Sequence, residues 1–246
     1  MRPGLCSVTF RQLTAEQVVA ATAAAGLEAI EWGGDVHVPP GDERRADEVA
    51  RFTTDAGLAV ASYGSYFRAG ADESLTPILD SAEALGADRI RVWAGSVDAS
   101  EATEDDWASV TGRLTDAVAE ASARGIRLSL EYHRRTLAPD PASTLRLLRA
   151  VPGLGTYWQP SVDADDAQAF AEFDALGGHV DAVHVFSWWP GAERLRLHER
   201  AELWQGVAAA ASALPSPRRD ALLEFVPDDD PALLLAEAAT LRALLT

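Results

Sequence analysis

The regular alternation of short apolar segments with longer, Ala-rich amphipathic segments is the feature that most constrains how this chain folds. Eight of the short apolar segments are predicted to be β-strands, and an amphipathic segment that is predicted to be a helix follows each of them. The strands are predicted at residues 4–10, 27–32, 58–63, 88–94, 126–132, 154–159, 180–187 and 221–226. The helices are predicted at residues 15–25, 43–56, 74–85, 104–124, 142–150, 164–176, 200–214 and 231–245.

Eight such strand–helix units in 246 residues indicate an α/β protein of the (β/α)8 TIM barrel class, with a single domain over residues 1–246. The alternative is a doubly wound open sheet, which normally carries a glycine-rich phosphate turn after its first strand. The residues at that place, Phe10 to Leu13, contain no glycine. We therefore expect a barrel whose active site lies at the C-terminal ends of the strands.

The composition excludes several classes of function. All 21 basic residues are arginine, and a chain without lysine has no Schiff-base chemistry, no lysine-anchored pyridoxal phosphate and no standard P-loop. The net charge of −17 argues against nucleic acid partners, because a phosphate backbone requires a basic surface. A single cysteine, Cys6, excludes an intrachain disulfide, and we expect it to pack as a small core residue. No segment has the pattern of a membrane span or a signal peptide, so we expect a cytoplasmic protein without a membrane partner.

Charged and polar residues occur where predicted strands five, seven and eight end. Glu131 stands at the end of strand five, and the alternation along strands seven and eight sets His184 and Glu224 opposite the apolar residues. If the apolar residues face the helices, all three side chains point into the mouth of the barrel. Two carboxylates and an imidazole are suitable ligands for Mn²⁺, Mg²⁺, Co²⁺ or Zn²⁺. The alternatives are a hydrogen-bonded structural histidine and glutamates paired with arginines.

Four tryptophans fall at or just past the ends of predicted strands: Trp32, Trp93, Trp188 and Trp189. An indole at such a place can stack on the apolar face of a sugar ring. Large aromatic side chains in a barrel also pack against the helices, so core or loop packing is the alternative for each of them.

In five segments the chain resembles the xylose isomerase-like barrels. This family includes sugar-phosphate isomerases and epimerases, ketose 3-epimerases, hydroxypyruvate isomerase, inosose dehydratase and endonuclease IV. The segments are IEWGGDVH (30–37), RVWAG (91–95), LSLEYH (128–133), VHVFSW (183–188) and LLEF (222–225). The resemblance covers essentially the whole chain, and the ordered set of segments is typical of the superfamily rather than of one substrate.

The resemblance implies a metal site held by a Glu after strand five, an Asp after strand six, a His after strand seven and a Glu after strand eight. Glu131, His184 and Glu224 stand at three of these places. Gln159, in YWQP, stands at the fourth, where the family usually has Asp. An amide oxygen still binds a hard cation, but one negative charge is lost.

The resemblance further implies a divalent-metal-dependent isomerase or epimerase of a sugar or sugar phosphate. Glu131 and Glu224 would be the acid–base pair, acting next to the carbonyl through an enediolate. The substrate contacts expected for such an enzyme are Trp32, His37, Trp93, His133, Trp188 and Arg196. Members of the family are often dimers or tetramers, so the resemblance also implies a homo-oligomer.

Two other functions remain open at this point. A dehydratase of a keto-inositol or a related ketose begins with the same proton abstraction. The other is a non-catalytic barrel that binds a sugar or a protein partner. In that case, Gln159 would indicate that the metal site is degenerate. The nuclease branch is disfavoured, because the chain is strongly acidic and has only five histidines.

Overall fold

A computed structural model of the chain, which describes residues 1–215 and 219–246, contains a closed barrel of eight parallel strands. This confirms the predicted fold class. Strands that follow one another in the chain are neighbours in the barrel, and the last strand pairs with the first to close it. In chain order the strands are β1 (Arg2–Cys6), β2 (Ala29–Gly33), β3 (Ala59–Gly64), β4 (Arg89–Val92), β5 (Arg127–Leu130), β6 (Gly155–Trp158), β7 (Val180–Val185) and β8 (Asp220–Leu223).

The α-helices pack around the barrel. They are α1 (Ala15–Ala24), α2 (Glu43–Asp55), α3 (Thr76–Leu85), α4 (Glu104–Ser122), α5 (Pro141–Ala150), α6 (Asp166–Leu176), α7 (Ala201–Ala213) and α8 (Leu234–Leu244). Capping boxes begin two of them: Thr14 exchanges side-chain and backbone hydrogen bonds with Gln17, and Thr103 does so with Asp106. Within the described residues, no helix is both long enough and apolar enough to cross a membrane.

Side chains fill the lower part of the barrel interior. Its base holds a buried ionic layer, in which the Asp220 carboxylate accepts hydrogen bonds from Arg2 and Arg89, each at 2.6 Å. Arg89 also donates to the Tyr157 hydroxyl at 3.0 Å, which links this layer to the next level of side chains. Gly4 keeps the barrel narrow here, because a Cβ at that position would lie 2.7 Å from the carbonyl oxygen of Ala29.

The first strand differs from its predicted range. It ends at Cys6, and Ser7–Phe10 form a buried 3-10 helix instead of continuing the strand. The β8 partner of β1 ends at Leu223, so β1 has no pairing partner on that side beyond this level. Every residue of the 3-10 helix is buried, and its apolar residues therefore resemble a strand in the sequence.

The segment after β7 also differs from the prediction. Strand seven was expected to continue through Ser187, but β7 ends at Val185. Ser187–Trp188 instead pair antiparallel with Arg194–Leu195 in a small hairpin above the barrel. This hairpin forms part of the wall of the pocket described next.

Candidate active site

A pocket of about 430 Å³ opens at the C-terminal end of the barrel. Its lining residues belong to β4 and to the segments that follow β1, β3, β4, β5, β6, β7 and β8. A volume of this size suits a small organic ligand. Three of the four predicted metal ligands, Glu131, Gln159 and Glu224, line the pocket directly, and the fourth, His184, contacts two of them from below.

His184, on β7, is fully buried and has an acceptor at each ring nitrogen. Its Nε2 lies 3.1 Å from Oε1 of Glu31, while its Nδ1 lies 3.2 Å from Oε1 of Gln159 and 3.4 Å from Oε2 of Glu224. Burial by itself would lower the pKa of the imidazole, but Glu224 and Glu31 outweigh it and raise the pKa to about 9. Since both nitrogens face oxygen atoms, the protonated ring donates on both sides.

Glu31, on β2, is the residue around which the buried part of the site is built, and it was not among the predicted site residues. Besides its contact with His184, its carboxylate accepts from Ser62 Oγ at 2.7 Å and from Arg91 Nε at 3.2 Å. Burial opposes ionisation, but His184 and Arg91 outweigh it, so the pKa of Glu31 is well below its usual range. The signal for Glu31 was the alternation in β2, which turns the apolar neighbour Trp32 outward and Glu31 inward.

Glu131 and Glu224 lie in different electrostatic environments. Arg91 donates to the carboxylate of Glu131, and Trp93 Nε1 donates to its Oε2 at 2.6 Å. Burial opposes ionisation of Glu131, but Arg91 outweighs it and lowers the pKa of this carboxyl. Burial instead raises the pKa of Glu224 to about 7, because the positive charge of His184 only partly offsets it. At neutral pH, Glu131 is therefore ionised and Glu224 is close to half protonated.

The residues at the top of the barrel fit a divalent cation. With Glu224 ionised and His184 neutral, as metal binding requires, the buried carboxylates of Glu31, Glu131 and Glu224 carry three negative charges, and Arg91 carries one permanent positive charge. The remaining two negative charges match a divalent ion. The pocket-facing donor atoms, carboxylate and amide oxygens with the imidazole Nδ1 of His184, suit Mn²⁺, Mg²⁺, Co²⁺ or Zn²⁺. Glu31 at Nε2 supplies the outer carboxylate that commonly orients a ligating histidine.

A second group of potential ligand atoms lies below the pocket. Atoms of Cys6, Glu31 and His184 lie within 4.8 Å of one another. Burial and the nearby carboxylate of Glu31 raise the pKa of the Cys6 thiol well above its usual range, and its Sγ donates to Glu31 at 3.3 Å. Cys6 is thus a buried neutral thiol, as expected for a core residue, and a thiol that keeps its proton is a poor metal ligand.

Three of the predicted substrate contacts lie outside the pocket. Trp32 is fully buried, and its Nε1 donates to Thr53 of α2 at 3.1 Å, so it packs between the barrel and a helix. His37 is buried with its ring nitrogens 3.1 Å from Ser7 Oγ and 3.1 Å from the carbonyl oxygen of Leu13. The third, Arg196, pairs with Glu237 of α8. The structure gives these three side chains structural partners and does not bring them to the site.

The other three predicted contacts, Trp93, His133 and Trp188, line the pocket. Trp93 stacks on His133, with ring centroids 4.7 Å apart, and the guanidinium carbon of Arg68 lies 3.8 Å from its ring centroid. The ring of Trp93 thus packs against His133 and Arg68, and its Nε1 holds the carboxylate of Glu131. Trp188 packs against Phe225 at 5.3 Å, and the two rings form an aromatic wall.

Comparisons with known proteins agree with the barrel fold. A family model described as xylose isomerase-like TIM barrel matches residues 19–209. The solved structure of the probable 3-DHS dehydratase AsbF of Bacillus anthracis, involved in petrobactin synthesis, is 18% identical, with a TM-score of 0.78, and the match covers 98% of this chain and 99% of that one. An L-ribulose 3-epimerase is 18% identical, with a TM-score of 0.70 and coverage of 99% and 93%.

A further similar structure is a xylose isomerase-like TIM barrel protein from Mycobacterium smegmatis, solved in complex with magnesium. It is 14% identical, with a TM-score of 0.69, and the match covers 100% of this chain and 98% of that one. At these identities the likeness to the solved structures establishes the shared fold. No curated protein is recognisably similar to this chain in sequence.

Proposed function

Because this chain belongs to the xylose isomerase-like TIM barrel family, we propose that it is a divalent-metal-dependent isomerase or epimerase of a sugar or sugar phosphate. The observation that carries the proposal is the pair of pocket-lining carboxylates Glu131 and Glu224, whose pKa values are shifted in opposite directions. Carboxyl groups whose environments separate their pKa values in this way are suited to act as base and acid.

Four residues would hold the metal ion: Glu131, Gln159, His184 and Glu224. Bound there, a divalent cation supplies an electrophile that stabilises the substrate oxygen on which negative charge develops. Glu31 keeps Nδ1 of His184 turned toward the pocket by its contact with Nε2.

Glu131 and Glu224 would move the proton. Glu131, ionised and held by Arg91 and Trp93, accepts the proton from the carbon next to the substrate carbonyl. Glu224, which lines the same pocket from the end of β8, returns a proton to the neighbouring carbon or to the opposite face. The reverse reaction exchanges the two roles.

Solvent deuterium exchange tests this proposal directly. The wild-type protein, loaded with Mn²⁺ or Mg²⁺ and incubated with a panel of ketoses and ketose phosphates in D2O, is expected to place deuterium next to the carbonyl. Glu131→Gln and Glu224→Gln are expected to abolish the exchange and to retain the fold. The control is Glu237→Gln, which alters an equally buried carboxylate that lies outside the pocket. Exchange that persists in Glu224→Gln would contradict the proposal.

A dehydratase is the second candidate function, and the similarity over 98% of the chain to a probable dehydratase favours it. The same proton abstraction by Glu131 would be followed by loss of a hydroxyl group as water. His133 stands two residues after Glu131 and lines the pocket, so it is placed to protonate the departing hydroxyl. Appearance of an unsaturated ketone, followed by its ultraviolet absorbance, would identify this reaction and exclude simple epimerisation.

A further inference from the structure

Arginine side chains line the pocket although the chain as a whole is strongly acidic. The chain has a net charge of −17, yet the pocket is lined by three arginines and two carboxylates. The arginines are Arg11, Arg91 and Arg134. The carboxylates, Glu131 and Glu224, are buried at the end of the barrel, whereas Arg134 is exposed.

The three arginines differ in what their guanidinium groups contact. The guanidinium group of Arg91 forms ion pairs with the buried carboxylates of Glu31 and Glu131. Arg11 donates to Asp35 at 2.5 Å and to the Tyr66 hydroxyl at 3.0 Å, so most of its charge is balanced. Arg134 is exposed and lines the pocket, and its guanidinium has no hydrogen bond or ion pair with any residue in the described ranges 1–215 and 219–246. Its positive charge is therefore free to bind a ligand.

The position of Arg134 sets how far its ligand lies from the reacting carbon. Arg134 follows Glu131 by three residues, and an extended chain spans at most about 3.6 Å per residue, so their Cα atoms lie within about 11 Å of each other. His133 Nδ1 donates to the carbonyl oxygen of Arg134 at 2.6 Å, which fixes the backbone between them. Because Glu131 and Arg134 both line this pocket of about 430 Å³, a small ligand bound there can contact both side chains.

We propose that the substrate carries an anionic group, a carboxylate or a phosphate, and that Arg134 binds this group at the rim of the pocket. The planar guanidinium fork matches the oxygen atoms of either group. The inference deepens the proposed function and rests on it, because it names the class of substrate: a sugar acid or a sugar phosphate rather than a neutral sugar.

Isothermal titration calorimetry with two matched ligand pairs tests this inference. The pairs are D-gluconate with D-glucitol, and D-ribose 5-phosphate with D-ribose, each titrated into wild type, Arg134→Gln and Arg135→Gln. Arg135 is the matched control, since it is also exposed and adjacent in the chain but is not part of the pocket lining. Both variants lose one positive charge, so a long-range charge effect would appear equally in both.

We expect the anionic member of at least one pair to bind wild type and Arg135→Gln about tenfold or more tighter than its neutral partner, and Arg134→Gln to lose that preference. A preference confined to gluconate identifies a carboxylate, and one confined to ribose 5-phosphate identifies a phosphate. Equal binding of charged and neutral ligands, an Arg134→Gln variant that binds as wild type does, or no binding of either anion would each overturn the inference.

The same titrations separate this inference from the proposed function. Glu224→Gln lacks the acid–base carboxylate but retains Arg134, so it is expected to bind the anion while it no longer exchanges deuterium. Anion binding that depends on Arg134 in a protein without any deuterium exchange would overturn the proposed function alone. Deuterium exchange on neutral ketoses without selective anion binding would overturn the inference alone.

Discussion

The imidazole of His184 and the carboxylate of Glu31 face each other at the top of the barrel, with Nε2 and Oε1 3.1 Å apart and both side chains fully buried. The contact joins β2 to β7, strands on different sides of the barrel. It leaves Nδ1 of His184 as the ring atom that faces Gln159 and Glu224. The orientation of the candidate metal ligand therefore depends on a residue that does not line the pocket.

Glu31→Gln is expected to weaken metal binding by roughly 10- to 100-fold, because the ring of His184 loses the carboxylate that orients it. The pKa of His184 is expected to fall as well, since the carboxylate of Glu31 is one of the groups that raise it. Calorimetric titration with Mn²⁺ or Co²⁺ measures the affinity, and the imidazole NMR signals measure the pKa. Glu28→Gln, an exposed change next to the same strand, is the control. An unchanged affinity in Glu31→Gln would contradict this role.

The stability of the metal-free protein is expected to fall as the pH rises above neutrality. The pKa of His184 is raised from 6.5 to about 9 in the folded state, so its stabilising charge is complete below about pH 6.5 and is lost as the pH approaches 9. The loss is on the order of 3 kcal/mol. The pKa of Glu224 is raised from 4.5 to about 7 in the folded state. The stability that its protonated carboxyl contributes is therefore also lost as the pH rises from about 4.5 to 7.

Urea unfolding between pH 6 and pH 9.5, after treatment with a chelator, measures this dependence. His184→Gln should flatten the curve above pH 6.5, whereas His198→Gln, an exposed histidine outside the pocket, should leave it unchanged. A wild-type unfolding free energy that does not vary over this range would show that His184 is not protonated in the fold.

Metal binding is expected to release protons and to strengthen as the pH rises toward about 9. The metal ion requires an unprotonated Nδ1 on His184, and this ring is protonated at neutral pH because its pKa is about 9. Calorimetry in buffers of different ionisation enthalpy counts the protons, and we expect about one or more per ion at pH 7. Binding that is independent of pH and releases no proton would exclude Nδ1 as a ligand.

Gln159→Asp is expected to raise the affinity for Mn²⁺ or Mg²⁺ by about tenfold or more, because it adds a negative charge next to Nδ1 of His184. Without metal, the same change should lower stability, since it buries another carboxylate beside Glu224. Gln168→Asp, on the surface of α6, is the control for the chemical change alone. An affinity that stays the same or falls would mean that residue 159 does not contact the ion.

Trp93→Phe is expected to slow deuterium exchange by about tenfold and to raise the pKa of Glu131. The phenyl ring still stacks on His133, but the hydrogen bond from Nε1 to the Glu131 carboxylate is lost, and such charge-assisted bonds contribute about 1.5–3 kcal/mol. The pH–rate profile of exchange measures both effects. Trp204→Phe, which removes an indole hydrogen bond to Ser187 outside the pocket, is the matched control. Equal effects of the two changes would argue that Trp93 acts through packing alone.

The sequence predicted the barrel because each of its strand–helix units repeats the same local pattern. The same alternation set Glu131, His184 and Glu224 on the side of their strands that faces the barrel, and the structure brings these three together with Gln159 at the pocket. On β2, however, Trp32 was predicted to contact the substrate. Alternation along this strand turns the neighbouring Glu31 into the barrel and Trp32 toward the helices, and both side chains are buried.

Residues in loops were harder to predict, since no periodicity links a loop residue to one face of the barrel. Arg196 was expected to contact substrate, but it pairs with a glutamate of α8. Arg134, which lines the pocket, lies in a loop where the sequence shows only a pair of arginines. The backbone at Arg135 determines that Arg134, and not Arg135, faces the pocket. Arg135 has a left-handed φ of 59°, and its backbone N–H donates to the carboxylate of Asp98.

The pairing of β1 with β8, which forms the seam of the barrel, makes assembly of the pocket depend on the first and the last strand. Cys6 and Glu224 meet there although 218 residues separate them in the chain. A growing chain that has not yet produced β8 holds most of its helices and strands, but it has an open edge where the seam belongs. The pocket is therefore completed late, when β8 joins the barrel. The residue that follows β8, Glu224, is one of the two proposed acid–base residues. A protein that ends before that strand gains none of the proposed catalytic chemistry, however much of the barrel it has formed.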